Sequence, residues 1–151
     1  MEKKKIYLLI FSIIFILSLV WEQPLFLQTA FAEPSVTIIA NISVQENSIS
    51  AKNLKKIYLG KKTTWEDKSK IFFVICEDTE LHKSFLKIIK KTPSQFSNHW
   101  KKQIFTGKGK APLKFETKEA LIEYIATTDG AIGYILGSCE ADNVKTLLII
   151  D

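Results

Sequence analysis

The most informative absence in this chain is arginine, because all 21 basic residues are lysine. Arginine's planar guanidinium binds phosphate and carboxylate groups through two parallel hydrogen bonds, and it is the commonest side chain that reads guanine bases. The formal net charge is +5, but surface lysines alone more often keep a protein soluble than bind a nucleic acid. We therefore expect no nucleic-acid partner.

Histidine is also scarce, and its placement excludes the common metal and catalytic sites. His82 and His99 fall on different predicted helices, and no carboxylate or cysteine stands at metal-ligand spacing from either one. The acids Glu77, Asp78 and Glu80 could form a carboxylate pair for acid–base chemistry, but acids are also favoured at a helix N-terminus, where they complement the helix dipole. The second interpretation is simpler, so we expect no enzyme, no metal and no cofactor.

Glycine occurs only six times, and no glycine–lysine pair completes a phosphate-binding loop. Such a loop has a second glycine five residues before the pair, so that successive backbone N–H groups surround the phosphates. Lys55 stands five residues before Gly60, and the pairs within 106–110 lack the second glycine as well. Gly60 is instead typical of the residue that follows a helix, where a positive φ costs glycine little.

Cysteine occurs twice, as Cys76 and Cys139. In an oxidising compartment such a pair can form a disulfide, which would contribute ~4 kcal/mol on a chain-entropy treatment of so long a loop. Two buried free thiols are the alternative, since the sequence does not give the distance between them. Both interpretations stay open.

The N-terminus has the features of an export signal. Lysines at 3–5 precede an apolar run, Ile6–Val20, and Ala30–Ala32 follows with the small-residue pattern of a cleavage site. The run is shorter than the ~20 residues of a typical membrane span. We expect residues 1–32 to be a signal peptide, with an uncleaved anchor as the alternative, and residues 33–151 to form one domain that is periplasmic or otherwise exported.

Beyond the signal segment, apolar or β-branched runs alternate with amphipathic segments that begin at capping residues. The runs predict strands and the capped segments predict helices. This alternation indicates an α/β fold with a mixed or mostly parallel sheet flanked by helices. Strands are predicted at Val36–Val44, Lys70–Cys76, Ala131–Leu136 and Leu147–Ile150, and helix starts at Ser48 or Ser50, Asp78 or Thr79, Thr92 and Thr117.

Three stretches follow one another in a characteristic order: KKIYLGKKTTW (55–65), SFLKIIKKTPSQFSNHWKKQIFTGKG (84–109) and GAIGYI (130–135). Together they resemble the small exported members of the phosphate ABC transporter substrate-binding family, whose fold is the type II periplasmic-binding-protein fold. Full-length members are two-lobed clamshells that hold the anion between their lobes, so the resemblance implies that residues 33–151 form a single lobe. It also implies that 55–65 is scaffold, with Trp65 packed back on the domain.

The resemblance further implies where an anion would bind. Family members usually carry a small-residue turn at a helix N-terminus, often followed by arginine, and the free N–H groups there bind the oxyanion. The matching stretch here is 78–82, in which Glu80 adds a negative charge where the anion is expected. The candidate ligand-binding residues are Thr79 and His82, assisted by Lys83 or Ser84.

Two functions therefore stay open from the sequence. The first is an exported solute-binding protein that binds an oxyanion such as phosphate weakly or together with a partner. The second is a degenerate lobe that makes protein–protein contacts in the cell envelope, with membrane contact only through residues 1–32 if they stay attached. The acidic stretch at 77–80 favours the second function, and the family resemblance favours the first.

Overall fold

A computed structural model describes residues 35–150. The predicted signal segment at 1–32 lies outside the described residues. The strands and helices, numbered in chain order, are β1 Val36–Asn41, β2 Ser48–Ser50, α1 Ala51–Tyr58, β3 Phe72–Cys76, α2 Thr79–Ile88, α3 Pro93–Phe105, β4 Leu113–Phe115, α4 Lys118–Thr127, β5 Ala131–Leu136 and β6 Val144–Ile150.

The six strands form one mixed sheet in the order β2-β6-β1-β5-β3-β4. Strand β1 is antiparallel to both of its neighbours, β5 and β6. The pairs β2–β6, β3–β4 and β3–β5 are parallel. The predicted α/β fold with a mixed sheet is confirmed. The carboxyl ends of the parallel strands β3, β4 and β5 lie at the same end of the sheet.

Helix starts fall where the capping residues predict them. The Ser50 hydroxyl accepts a hydrogen bond from the Asn53 N–H at 3.2 Å, which settles the start of α1. Helix α3 begins with a complete capping box, because Thr92 and Gln95 each accept a hydrogen bond from the other's backbone N–H. The Thr117 hydroxyl caps α4 by accepting a hydrogen bond from the Ala120 N–H. These bonds satisfy N–H groups that have no partner within the helix.

The stretch 55–65 is scaffold, as the resemblance implies. Gly60 follows α1 with a φ of +68°, the left-handed conformation that glycine adopts with little strain. Trp65 is only 4% exposed, and its indole N–H donates a hydrogen bond to the Gly130 carbonyl at 2.9 Å. The turn therefore ties the end of α1 to the start of β5.

The two faces of the sheet are covered differently. On one face α4 approaches closely over Gly133, where a Cβ atom would lie 2.7 Å from the Ile125 Cδ1 atom. On the other face α1, α2 and α3 pack on an aromatic cluster. Its tightest pair is Phe85 and Tyr134, whose rings stack with centroids 4.0 Å apart. The aromatic face carries the residues that surround the site described below.

Both cysteines are free thiols in the structure, with Cys76 buried at the end of β3 and Cys139 half-buried after β5. The disulfide between them stays a prediction. Between residues 35 and 150, none of the helices is long and apolar enough to cross a membrane.

Candidate functional site

A cleft of about 560 Å³ opens where β3 ends and α2 begins. Helix α3 and the segment that leads into β4 also line it. In sheets with parallel strands, ligands commonly bind outside the carboxyl ends of the strands, and clefts of this size suit small molecules. The cleft is therefore the candidate site.

Most of the cleft wall is apolar. Helix α3 contributes Phe96, Trp100 and Ile104 at four-residue spacing, which places the three on one side of the helix. The indole N–H of Trp100 donates a hydrogen bond to the Tyr58 carbonyl at 3.1 Å, and this bond holds the ring in place. Ile75 at the end of β3 also lines the cleft. This wall can bury an apolar group.

Three lysines and one carboxylate supply the charge of the cleft: Lys83, Lys101, Lys114 and Glu77. The Lys83 ammonium lies 2.8 Å from a Glu80 oxygen, and the Lys114 ammonium lies 3.6 Å from a Glu77 oxygen. Both pairs are largely exposed and each contributes little to stability. Within residues 35–150, Lys101 has no carboxylate at ion-pair distance, so its charge faces solvent. Lys101 is therefore the lining lysine that has no carboxylate partner among the described residues.

The start of α2 is already capped by a carboxylate. One Asp78 oxygen accepts hydrogen bonds from the Glu80 and Leu81 N–H groups, each at 2.9 Å. These are the donors that an oxyanion at a helix N-terminus would use. Glu80 is bonded to Lys83, and neither Glu80 nor Asp78 lines the cleft, so Glu77 is the lining carboxylate that opposes an anion here.

His82 is held by the aromatic cluster rather than free to pair with a ligand as a cation. Its Nδ1 atom lies 2.5 Å from the Tyr134 hydroxyl, and its ring meets the Phe96 ring edge-on. Burial, together with the nearby Lys114 charge, lowers the pKa of His82 below its usual value. Burial also raises the pKa of Tyr134, so its hydroxyl stays protonated. At neutral pH His82 is an uncharged hydrogen-bonding group.

Three of the four predicted ligand contacts come together in the cleft. Thr79, His82 and Lys83 line it, whereas Ser84 is half-buried and is not part of the lining. Sequence reasoning missed Lys101 and Lys114. The pairing of Phe96 with Trp100 was visible from their spacing and, extended by one more turn, would have indicated the wall of α3.

No family model matches the chain, and no curated protein matches its sequence. Solved structures do match. A Clostridium perfringens protein described as a phosphate ABC transporter substrate-binding protein, solved with bound phosphate, has a TM-score of 0.60 at 19% identity over 77% of this chain and 45% of its own. A protein from Planctomyces limnophilus described as phosphate-binding has a TM-score of 0.58 at 15% identity, over 78% of this chain and 42% of its own.

An ABC-type phosphate transport receptor from Vibrio cholerae has a TM-score of 0.51 at 17% identity, over 77% of this chain and 46% of its own. The chain shares the fold of these binding proteins. It spans less than half of their length, which agrees with the single lobe expected from the sequence. The structural neighbours are binding proteins rather than enzymes.

Proposed function

We propose that this domain is the ligand-binding lobe of an exported solute-binding protein, and that the cleft beside α2 binds an oxyanion such as phosphate. One observation carries the proposal: a concave site at the carboxyl end of β3 gathers three lysines against one carboxylate. The Clostridium perfringens protein, which shares the fold, was solved with bound phosphate.

Binding by this lobe alone is expected to be weak. Asp78 occupies the Glu80 and Leu81 donors at the start of α2, and His82 is uncharged at neutral pH. The lysines are then the main attraction, and lysine acts as a point charge without arginine's paired donors. Attraction between exposed charges falls as salt is added, so affinity should fall with ionic strength. A partner, such as a transporter or a second lobe, would complete the site.

Calorimetric titration of the full chain with phosphate, sulfate and molybdate tests this proposal. We expect at least one of these oxyanions to bind. Lys101→Gln should lower the affinity several-fold, because Lys101 lines the cleft without an ion-pair partner among the described residues. The matched control is Lys87→Gln, an exposed lysine of α2 outside the cleft. Absence of binding by all three oxyanions at millimolar concentration would reject the proposal.

A protein-contact role is the second candidate, and exposed apolar side chains favour it. Phe105 is 92% exposed, and Ile104 and Leu113 are each 48% exposed. Strand β4, which carries Leu113, lies at the edge of the sheet, where a backbone from a partner can pair. If the partner is an envelope protein, Phe105→Ser should abolish cross-linking to it in cells and leave oxyanion binding unchanged.

Export itself is proposed from residues 1–32. N-terminal sequencing of the protein recovered from the cell envelope should give Glu33 as the first residue. A start at Met1 in the membrane fraction would indicate an anchored protein instead.

Thiol labelling of the same denatured sample shows whether Cys76 and Cys139 pair, because a disulfide leaves no reactive thiol and free cysteines leave two.

A further inference from the structure

We infer that the cleft selects an organic anion with an apolar body, such as an alkyl or aryl phosphate, over inorganic phosphate. The inference rests on the proposed function, since it concerns the same cleft and names the class of ligand. Size, wall chemistry and the position of the charges each point to this class.

The size of the cleft exceeds what a tetrahedral oxyanion needs. A cleft of about 560 Å³ lies in the range that holds drug-sized ligands, which are much larger than inorganic phosphate. Inorganic phosphate would therefore leave most of the cleft filled with water. A ligand with a carbon chain or ring can displace that water from the wall.

The wall is suited to such a body. Ile75, Phe96, Trp100 and Ile104 line it, and the prolines at 93 and 112 add further apolar surface. Transfer of apolar surface out of water is favourable in proportion to the area buried. A bare oxyanion gains nothing from these side chains.

The charged groups lie where a hydrated head group would remain. The Lys83 and Lys114 side chains are 47% and 59% exposed, and Lys101 is exposed as well. Asp78 occupies the Glu80 and Leu81 donors at the start of α2, where a desolvated oxyanion would bind. An anion is therefore held at the lysines while partly hydrated, and additional affinity must come from the apolar wall.

The test compares hexyl phosphate, inorganic phosphate and hexanol by calorimetric titration of the full chain at one ionic strength. We expect hexyl phosphate to bind about tenfold or more tightly than inorganic phosphate, because burial of even part of its chain supplies that factor. Hexanol should bind more weakly than hexyl phosphate, since it lacks the charge.

The outcomes separate this inference from the proposed function. Equal affinities for hexyl and inorganic phosphate would overturn the inference and leave oxyanion binding intact. If neither phosphate binds, the inference is overturned, and if sulfate and molybdate also fail to bind, the proposed function is overturned with it. Equal affinities for hexanol and hexyl phosphate would show that charge plays no part, which also overturns both.

A matched pair of variants locates the apolar contact. Ile104→Ser changes a half-exposed residue that lines the cleft. Ile42→Ser changes a 58% exposed residue that follows β1, beside the start of β5 and so at the opposite end of the strands from the cleft. Ile104→Ser should lower the affinity for hexyl phosphate several-fold and leave the affinity for inorganic phosphate unchanged. Ile42→Ser should change neither affinity. Equal affinity of the two variants for hexyl phosphate would overturn the inference.

A phosphate head with an apolar body could also belong to a lipid. Sedimentation of the full chain with vesicles of phosphatidylglycerol distinguishes the sources. The cleft's limited volume favours a soluble ligand, so hexyl phosphate should bind without changing the fraction of the protein that sediments with the vesicles. Sedimentation with the vesicles that hexyl phosphate reverses would assign the site to lipid and overturn the soluble source.

Discussion

The turn after α1 and the cleft beside α2 each contain lysines and a buried tryptophan, but they differ in which side chains face solvent. In the turn, the Trp65 indole is buried and bonded to the Gly130 carbonyl, so its polar group is satisfied within the domain. In the cleft, Lys101 and Ile104 face solvent beside a ring that is held only from behind. The turn is scaffold because its tryptophan bonds to a distant backbone carbonyl, and the candidate binding surface lies where a lysine and an apolar side chain face solvent.

The largest effect should come from the scaffold, at Gly130. A Cβ atom there would lie 2.2 Å from the Lys70 carbonyl oxygen, at a φ of +75°. Gly130→Ala should lower the free energy of unfolding by about 3 kcal/mol or more, through both the clash and the backbone strain. Urea denaturation followed by circular dichroism measures it.

Gly137→Ala is the matched control for this change. Gly137 has the same φ of +75°, but a Cβ atom there would have no neighbour within 4 Å. Only the backbone strain remains, so the expected loss is about 1 kcal/mol. Equal losses at both positions would mean that the close approach of Gly130 to Lys70 has no energetic weight.

Trp65→Phe should have the next largest effect. The substitution removes the indole N–H and leaves the Gly130 carbonyl without the donor it has at 2.9 Å. The carbonyl keeps its hydrogen bond from the Phe72 N–H at 3.2 Å, so the expected loss is that of one buried hydrogen bond, about 1 kcal/mol. Thermal or urea unfolding of this variant at neutral pH measures the loss, and an unchanged midpoint would contradict the scaffold role of Trp65.

A smaller effect should appear in the pH dependence of stability. The folded protein holds the pKa of His82 below its value in the unfolded chain, mainly by burial. The unfolded state then binds more protons as the pH falls below ~6.5, so stability contributed by neutral His82 is present above that pH and is lost on acidification. Urea midpoints at pH 7.5 and 5.5 should differ less in His82→Gln than in the wild type. Equal differences would contradict the burial of His82 against Tyr134.

The smallest effect should come from the bare surface beside the cleft. Phe105 is 92% exposed, so Phe105→Ser removes almost no buried area. The free energy of unfolding should change by less than about 0.5 kcal/mol. A larger loss in urea denaturation would mean that Phe105 packs against another part of the chain, and the contrast with Trp65 would then disappear.

Local features of the fold could be predicted from the sequence. Thr92 and Gln95 form the expected capping box because both partners lie within four residues of each other. Gly60 follows α1 as expected, because its positive φ is also a local property of the chain. Strands β2 and β4 could not be predicted, since each has three residues and is fixed by pairing with a distant strand. A strand of three residues is too short to show the alternation of apolar and polar residues that predicts a strand.

The site was predicted only in part, for a related reason. Thr79 and Lys83 lie within one turn of a predicted helix start, so the sequence indicated them together. Lys114 enters the cleft through β4, and His82 is bonded to Tyr134, which lies 52 residues further along the chain. Contacts of this range depend on the order of strands in the sheet, which neither spacing nor composition gives.

The most direct test of the binding surface is an amide chemical-shift titration of the uniformly ¹⁵N-labelled full chain with hexyl phosphate. Binding in the cleft predicts shifts at Thr79, Ser97 and Lys101, which line it. It predicts no shifts at Ile42 and Asn143, which are bonded to each other at the opposite end of the strands. Shifts at the opposite end of the strands without shifts in the cleft, or no shifts at millimolar hexyl phosphate, would contradict binding in the cleft.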